Sequence, residues 1–281
     1  MLYVVLSILT NVLLLVWLRS LRLPVLSLIT LNYLVCVGLA LGLDAPRVDQ
    51  LASLPLVTWG LIGVLGALFI GVFALTGHAS RQIGVGLTGM IAKLSVILPV
   101  AFVSLFLGEP LYLKQVLGMV AGLAAIVLVH RPYWQGKAGQ ALLQHARTGF
   151  LLWAGNGLID ILFKAGQPLL HNLSPLQVPL FIMSVAGLIG LMAHLYPNRL
   201  SLLRQRTLWK GALLLGATNL ASIYAYLQAL KAWPAAQFFL WNNLGIVLLS
   251  GLVGLAFFRE RFSWEVGAGY ALGGLALILL A

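Results

Sequence analysis

Long blocks of apolar residues, separated by short polar breaks, run along the whole 281-residue chain. A block of about 20 apolar residues is long enough for an α-helix to cross the hydrocarbon core of a bilayer. Prolines stand at several of the breaks, near helix starts where a missing N–H leaves no hydrogen bond unmade. The pattern predicts ten helices, over residues 2–18, 24–43, 54–76, 82–106, 110–129, 148–169, 174–196, 208–229, 235–257 and 262–280.

Composition then narrows the class of protein. Hydrophobic residues make up 61% of the chain and charged residues 8%, whereas a soluble domain carries about a quarter charged residues. The sequence therefore predicts an all-α integral membrane protein, with several passes through the cell (inner) membrane and the lipid bilayer as its surroundings. In a soluble protein the net charge of +11 would suggest a nucleic-acid partner; here it is interpreted as loop charge that fixes orientation. A single cysteine, Cys36, excludes an internal disulfide.

The two halves of the chain repeat each other. At an offset of 151 residues, Glu109, Gly118 and Gly122 align with Glu260, Gly269 and Gly273. At an offset of 150, the aligned pairs are Trp59 with Trp209, Gly66 with Gly216, and Lys93 with Asn243. Shared apolar composition can imitate a repeat, but two matched patterns of this length favour a true one.

Each half contains five predicted helices, an odd number, so the second half has to sit inverted relative to the first. We expect two inverted five-helix repeats, residues 1–129 and 148–281, joined by a polar connector at 130–147. Inverted repeats are typical of secondary transporters, whose substrate site lies near the bilayer midplane between the halves.

The ends of both halves also resemble a known family. The segments GEPLYLKQVLGMVAGLAAIVLV and FRERFSWEVGAGYALGGLALILL are similar to the ends of the two halves in EamA-type members of the drug/metabolite transporter superfamily. The resemblance implies ten helices, a central cavity lined by both halves, and alternating access. The first helix lacks the Trp-Gly pair usual in that family, and the sixth has only a loose version, Trp153 and Gly155.

Positive charge is concentrated at one set of alternating connections, here called the arginine-rich side. Its members are Arg19, Arg22, Arg81, Arg131, Lys137, Arg147, Arg199, Arg204, Arg206, Lys210, Arg259 and Arg261. The positive-inside rule places this side in the cytoplasm and both termini outside. The family resemblance implies both termini in the cytoplasm, so the two indications disagree.

Lys93 lies in the middle of the predicted fourth helix, and no other ionisable side chain lies between Arg81 and Glu109. A charge at that depth is costly and usually faces a cavity or a partner. Two interpretations stay open. Lys93 either pairs with Asp160 or snorkels as part of the structure, or it projects into a cavity and binds an anionic group of a substrate.

A polar stripe runs along the predicted sixth helix. Asn156, Asp160 and Lys164 follow one another at intervals of four residues, so they share one helix face. Asp160 and Lys164 either form an intrahelical ion pair that eases insertion, or Asp160 carries a coupling proton and Lys164 tunes it. With Lys93 included, the three charges leave a net positive core, which favours carboxylates or phosphates over cations.

Amides and aromatic residues complete the candidate substrate site. Its predicted members are Lys93, Asn156, Asn219, Tyr226, Trp241, Asn242 and Asn243, with Asp160 and Lys164 as the proton-coupling pair. Amides within membrane helices also serve simply to tie helices together. Each amide therefore keeps a structural alternative.

These features favour a secondary active transporter that moves a small polar or amphipathic metabolite bearing an anionic group, with protons as the candidate coupling ion. The alternatives are an exporter of cationic or aromatic drugs and a non-transporting membrane subunit. An intramembrane enzyme is disfavoured because the spans hold no metalloprotease pair, nucleophile elbow or paired catalytic carboxylates. The sequence offers no nucleotide-binding loop or metal-ligand spacing, so no cofactor is expected. A monomer or a homodimer is expected.

Overall fold

The computed structural model describes residues 1–46, 54–106, 112–134, 140–195, 200–233, 235–260 and 263–280. These residues form an all-α fold without strands, with one short 3₁₀ helix at Leu200–Arg204. The α-helices are α1 (Leu2–Ser20), α2 (Val25–Leu43), α3 (Leu56–Gln82), α4 (Val85–Leu94), α5 (Ile97–Phe106), α6 (Leu113–Trp134), α7 (Gln140–Leu170), α8 (Gln177–Leu195), α9 (Arg206–Ala232), α10 (Ala235–Phe258) and α11 (Trp264–Leu280).

Several of these helices suit a membrane. Within the described ranges, six stretches are long and apolar enough to cross one: α1, α2, α3, residues 85–106, α8 and the Trp241–Phe258 part of α10. Shorter apolar helices are present at Leu113–Val129 and Trp264–Leu280. The two long helices that remain, α7 and α9, carry polar residues such as Asp160 and Asn219, which lower their hydropathy. The length and composition of the helices indicate a membrane-embedded protein.

Every predicted helix range contains a helix, but the connector differs from expectation. Residues 130–147 were predicted to be a polar linker, whereas α6 continues to Trp134 and α7 begins at Gln140. The stretch that begins α7, QALLQHAR, is composed largely of strong helix formers, so its polarity does not prevent helix formation. The rest of the predicted connector lies outside the described residues.

The predicted fourth helix is broken in two at Ser95 and Val96, between α4 and α5. Pro99 explains the break: its ring clashes with the carbonyl four residues earlier, that of Ser95, and it has no N–H to donate. The Ser95 carbonyl instead accepts from the N–H of Leu98 at 2.9 Å. The break therefore lies directly after Lys93. Pro179, which was also expected within a span, falls in the first turn of α8 and disturbs nothing.

Glycines at matched positions of the two halves make matched contacts. A Cβ added at Gly66 in α3 would lie 2.6 Å from the Cβ of Val185 and 2.9 Å from the Ile182 carbonyl of α8. A Cβ added at Gly216 in α9 would lie 2.9 Å from the Cβ of Val35 and 3.0 Å from the Asn32 carbonyl of α2. All three pairs of residues are related by the offset of 150 found in the sequence.

The Gly-x3-Gly patterns of the two halves pack against each other. A Cβ at Gly118 in α6 would lie 3.1 Å from the Ala276 carbonyl of α11, and a Cβ at Gly269 would lie 3.3 Å from the Ala125 carbonyl of α6. The offset of 151 again relates the two contacts. Glycines four residues apart permit close helix contact, and here that contact lies within the chain. The third such pattern in the sequence, Gly38 with Gly42, makes no such contact among the described residues, since nothing lies within 4 Å of a Cβ added at either position.

We expect Gly66→Leu to destabilise the fold strongly, because the new side chain would meet the backbone of α8, which cannot rotate away as a side chain can. Overpacking of this kind costs about 3 kcal/mol, which is roughly 10 °C in melting temperature for a chain of this size. Thermal unfolding of the purified protein measures it. Gly63→Leu on the same helix is the control, since nothing lies within 4 Å of a Cβ added there. Equal effects of the two substitutions would contradict the tight α3–α8 contact.

Candidate functional site

The centre of the molecule is the contact between α4 and α10. A Cβ added at Gly89 would lie 2.9 Å from the Cβ of Ser250, and one added at Gly86 would lie 3.2 Å from the Cα of Gly251. Lys93 follows Gly86 and Gly89 at helical spacing, and Asn243 precedes Ser250 by seven residues, so both lie on the facing surfaces. The pair that the repeat aligns therefore lies on the two helix surfaces that face each other.

Beyond Lys93, the break between α4 and α5 changes which helix the chain packs on. Whereas α4 packs on α10, α5 packs on α7. Because of this divergence, the closely packed part of the α4–α10 contact covers the end nearer the arginine-rich side. Lys93 lies where the close packing ends, and its side chain is half-buried.

Asp160 lies on the face of α7 opposite its exposed apolar stripe. That stripe contains Leu151 and Leu158, and Asp160 lies about 200° around the helix from Leu158. The Asp160 side chain is itself exposed. A charged side chain in a membrane helix usually faces a cavity or a partner, so this face of α7 is the candidate wall of a substrate site.

Three of the predicted site residues come from three different helices: Lys93 from α4, Asp160 from α7 and Tyr226 from α9. Tyr226 lies on the interior face of α9, opposite the exposed Leu213. Helix α4 packs on α7, so Lys93 and Asp160 are carried by neighbouring helices.

Neither of the two predicted structural ion pairs is formed within 4.0 Å. In the part of the chain that the structure describes, the one ion pair at this range is Arg19 with Glu260. Lys164 is exposed, one helical turn beyond Asp160 on the same face of α7. Asn156, the third member of that stripe, is half-buried and donates from Nδ2 to the Leu152 carbonyl at 2.8 Å.

Two of the predicted substrate-binding amides tie helices together. Asn242 is fully buried and its Oδ1 accepts from the Ser7 hydroxyl at 2.9 Å. Asn219 donates from Nδ2 to Oδ1 of Asn32 at 3.4 Å. These contacts fit the structural alternative, because they join α10 to α1 and α9 to α2. Asn243 is also buried, on the face of α10 that meets α4.

The two predicted aromatic residues point in different directions. Trp241 is 53% exposed and shares its helix face with Leu248 and Leu252, at 51% and 63% exposed. An apolar stripe of this kind faces lipid in a membrane, so Trp241 faces away from the interior of the bundle. Tyr226 lies on the interior face of α9, and its ring packs edge-on against that of Phe238 with centroids 5.0 Å apart.

The place of Glu260 in the turn before α11 predicts that it caps that helix, because a carboxylate favours the positive end of a helix dipole, but the structure gives it other partners. Its carboxylate instead accepts from the N–H groups of Val85 at 2.6 Å and Gly86 at 3.2 Å, at the start of α4. It also pairs with Arg19 of α1. A local pattern could not reveal these partners, because they are far away in sequence. Glu109, its aligned counterpart, lies outside the described residues.

Comparisons with known proteins bear on the fold. No family model matches the chain. A Haemophilus influenzae protein described as uncharacterized is 25% identical over 202 residues, which is 71% of this chain and 67% of that protein. A solved crystal structure of a protein superimposes with a TM-score of 0.64 at 21% identity, covering 99% of this chain and 95% of that one. This similarity shows that an experimentally determined protein adopts the same overall arrangement of helices.

Proposed function

We propose that the protein is a secondary active transporter of the cell membrane, built from ten membrane-spanning segments in two inverted repeats. The broken pair α4–α5 counts as one segment, and each half then supplies five. Supporting evidence comes from the matched glycine contacts of Gly66 with Gly216 and of Gly118 with Gly269, which obey the same offsets as the sequence repeat. Inverted repeats of this kind operate by rocking around a site near the midplane.

The observation that carries the transport function is the position of Lys93. It lies on the face of α4 that meets α10, next to a helix break, and α4 also packs on α7, the helix that carries Asp160. Charged side chains inside membrane helices are costly and mark substrate or ion pathways. A non-transporting subunit would have no use for a lysine and a carboxylate that lie in neighbouring membrane helices without forming an ion pair within 4.0 Å.

The substrate is a small metabolite with an anionic group, a carboxylate or a phosphate. With Lys93, Lys164 and Asp160 all charged, the proposed site carries net positive charge. A cavity of one sign concentrates ligands of the other sign. Lys93 binds the anionic group, while Asp160 takes up or releases a proton as access alternates. In the arrangement described, α4 packs closely on α10 at the end nearer the arginine-rich side.

A ligand screen on the purified protein tests the proposal. Amino acids, organic acids, sugar phosphates, nucleosides and cationic dyes are each tested for a rise in melting temperature. A ligand that binds only the folded state at 100 times its Kd stabilises by about 2.7 kcal/mol. We expect carboxylates or phosphates to stabilise the protein, and uptake of the same compound into proteoliposomes to saturate. Stabilisation by cationic dyes alone would favour a drug exporter, with the unpaired Asp160 as its anchor.

A further inference from the structure

The turn after α10 has an unusual backbone. Helix α10 ends at Phe258, and Arg259 then adopts φ 49°, in the left-handed region that few residues other than glycine enter. The N–H of Glu260 donates back to the Gly254 carbonyl at 3.0 Å. The chain therefore folds back beneath the end of its own helix, and this return places the Glu260 side chain at the first turn of α4.

The start of α4 is shaped to receive that carboxylate. The first N–H groups of a helix lack partners within the helix, and the positive end of its dipole favours a negative charge. Glu260 accepts from two of these groups, those of Val85 and Gly86. Gly84 precedes them at φ 99°, and a Cβ there would lie within 2.6 Å of both carboxylate oxygens. Only glycine suits position 84, because it adopts this φ without strain and has no Cβ to clash with the carboxylate.

A third helix, α1, completes a cluster of Arg19, Val85, Gly86 and Glu260. Arg19, at the end of α1, pairs with the Glu260 carboxylate, and its guanidinium lies 4.4 Å from the centroid of the Phe258 ring. The carboxylate thus joins α1 and α4 of the first half to the α10–α11 turn of the second. Val85 is eight residues before Lys93 in the sequence, so the cluster lies roughly 12 Å along the helix from that lysine.

We propose that the Glu260 carboxylate joins the two halves of the chain and holds α4 against α10; this set of contacts is here called the latch. The contacts of Glu260 with Arg19, Val85 and Gly86 must break before the proposed substrate site can open to the arginine-rich side. The role of the latch in transport rests on the proposed function. The contacts that form the latch can be tested in the protein without any ligand. The carboxylate is the one group in the cluster that contacts both α1 and α4. Its neutralisation removes the ion pair with Arg19 and weakens the charge-assisted bonds to Val85 and Gly86.

Thiol labelling at the α4–α10 contact tests the latch. Cys36 is replaced by serine, and Ser250→Cys becomes the reporter, because Ser250 is fully buried against Gly89 on the facing helix. In nanodiscs, a water-soluble maleimide should label this cysteine at least 10-fold faster when Glu260→Gln is added. Arg19→Gln should accelerate labelling in the same direction. The control Glu265→Gln removes a carboxylate from the first turn of the next helix, α11, and should leave the rate unchanged.

Unchanged labelling in a folded Glu260→Gln protein would overturn the latch, and so would equal acceleration by Glu265→Gln, which would indicate general loosening. Retention of the melting transition and of the elution volume shows that each variant is folded. No substrate is needed for labelling, so absence of transport in the ligand screen does not affect this result. Faster labelling without any transport would keep the latch and reject the proposed function.

Discussion

Lys93→Met should abolish binding of the anionic ligand and, at the same time, raise the melting temperature of the ligand-free protein. The first effect follows because the ammonium is the positive group on the face of α4 that meets α10. Truncating one partner of a buried charge pair costs about 2–5 kcal/mol, so affinity should fall by at least about 30-fold. The second effect follows because a lysine deep in a membrane helix costs about 3 kcal/mol on insertion scales.

The combination of effects separates the two interpretations of Lys93. A structural lysine that pairs with Asp160 would leave an unpaired carboxylate when removed, and the protein would lose stability. A functional lysine is retained in spite of its cost, so its removal stabilises the protein. The described structure favours the second case, since Lys93 and Asp160 form no ion pair within 4.0 Å.

Thermal unfolding with and without the best ligand of the screen measures both effects in one experiment. Lys93→Arg keeps the charge and should keep part of the ligand-induced stabilisation. Lys210→Met, which removes an exposed cation near the start of α9, is the matched control and should change neither quantity. A ligand response in Lys93→Met equal to that of the wild type would remove the lysine from the substrate site.

Local patterns in the sequence were sufficient for the helices and their main contacts. Apolar blocks of membrane length, with prolines at their ends, predicted where helices would lie, because each helix is stabilised within its own segment. The aligned glycines, such as Gly118 and Gly269, predicted the close contact of α6 with α11. The helices are indicated by residues that are near each other in the sequence, and the glycine contacts by residues that repeat at one offset.

The candidate site was predicted less completely, because the direction of a side chain depends on which helices surround it. The sequence could not distinguish Trp241, on an exposed apolar face, from Tyr226, on the interior face of α9 where its ring packs on Phe238. Nor could it separate amides that tie helices, such as Asn242, from those free to bind a ligand. Glu260 was recognised as a cap, but its partner helix begins 175 residues away. The polarity of the connector concealed its helix propensity.

Asp160→Asn should remove the pH dependence of transport and prevent uphill accumulation of the substrate. Asparagine has nearly the shape of aspartic acid and can still hydrogen-bond, but it cannot take up or release a proton. If Asp160 carries the coupling proton, the variant should still bind the anionic ligand and exchange it across the membrane. It should no longer concentrate the ligand when a pH gradient is imposed.

Two assays in proteoliposomes measure these properties separately. Counterflow exchange at symmetric pH reports binding and alternation of access, and gradient-driven uptake reports coupling. We expect exchange within about threefold of the wild type and gradient-driven uptake lower by at least 100-fold, roughly 2.7 kcal/mol of lost coupling. Asp44→Asn is the control, since Asp44 lies at the end of α2, where it accepts from Ser174 and Gln177 of the segment that begins α8.

Lys164→Gln tests the proton-carrying role of Asp160 by changing a neighbouring side chain. Lys164 lies one turn from Asp160 on the same face without an ion pair within 4.0 Å, and the hypothesis that it tunes the carboxylate requires its positive charge to favour the ionised form. Its removal should shift the pH profile of transport to higher pH while leaving a profile in place, whereas Asp160→Asn should abolish the profile. Full-rate transport with unchanged pH dependence in Asp160→Asn would assign the proton to another group. Asp160 would then be an electrostatic partner of Lys93 alone.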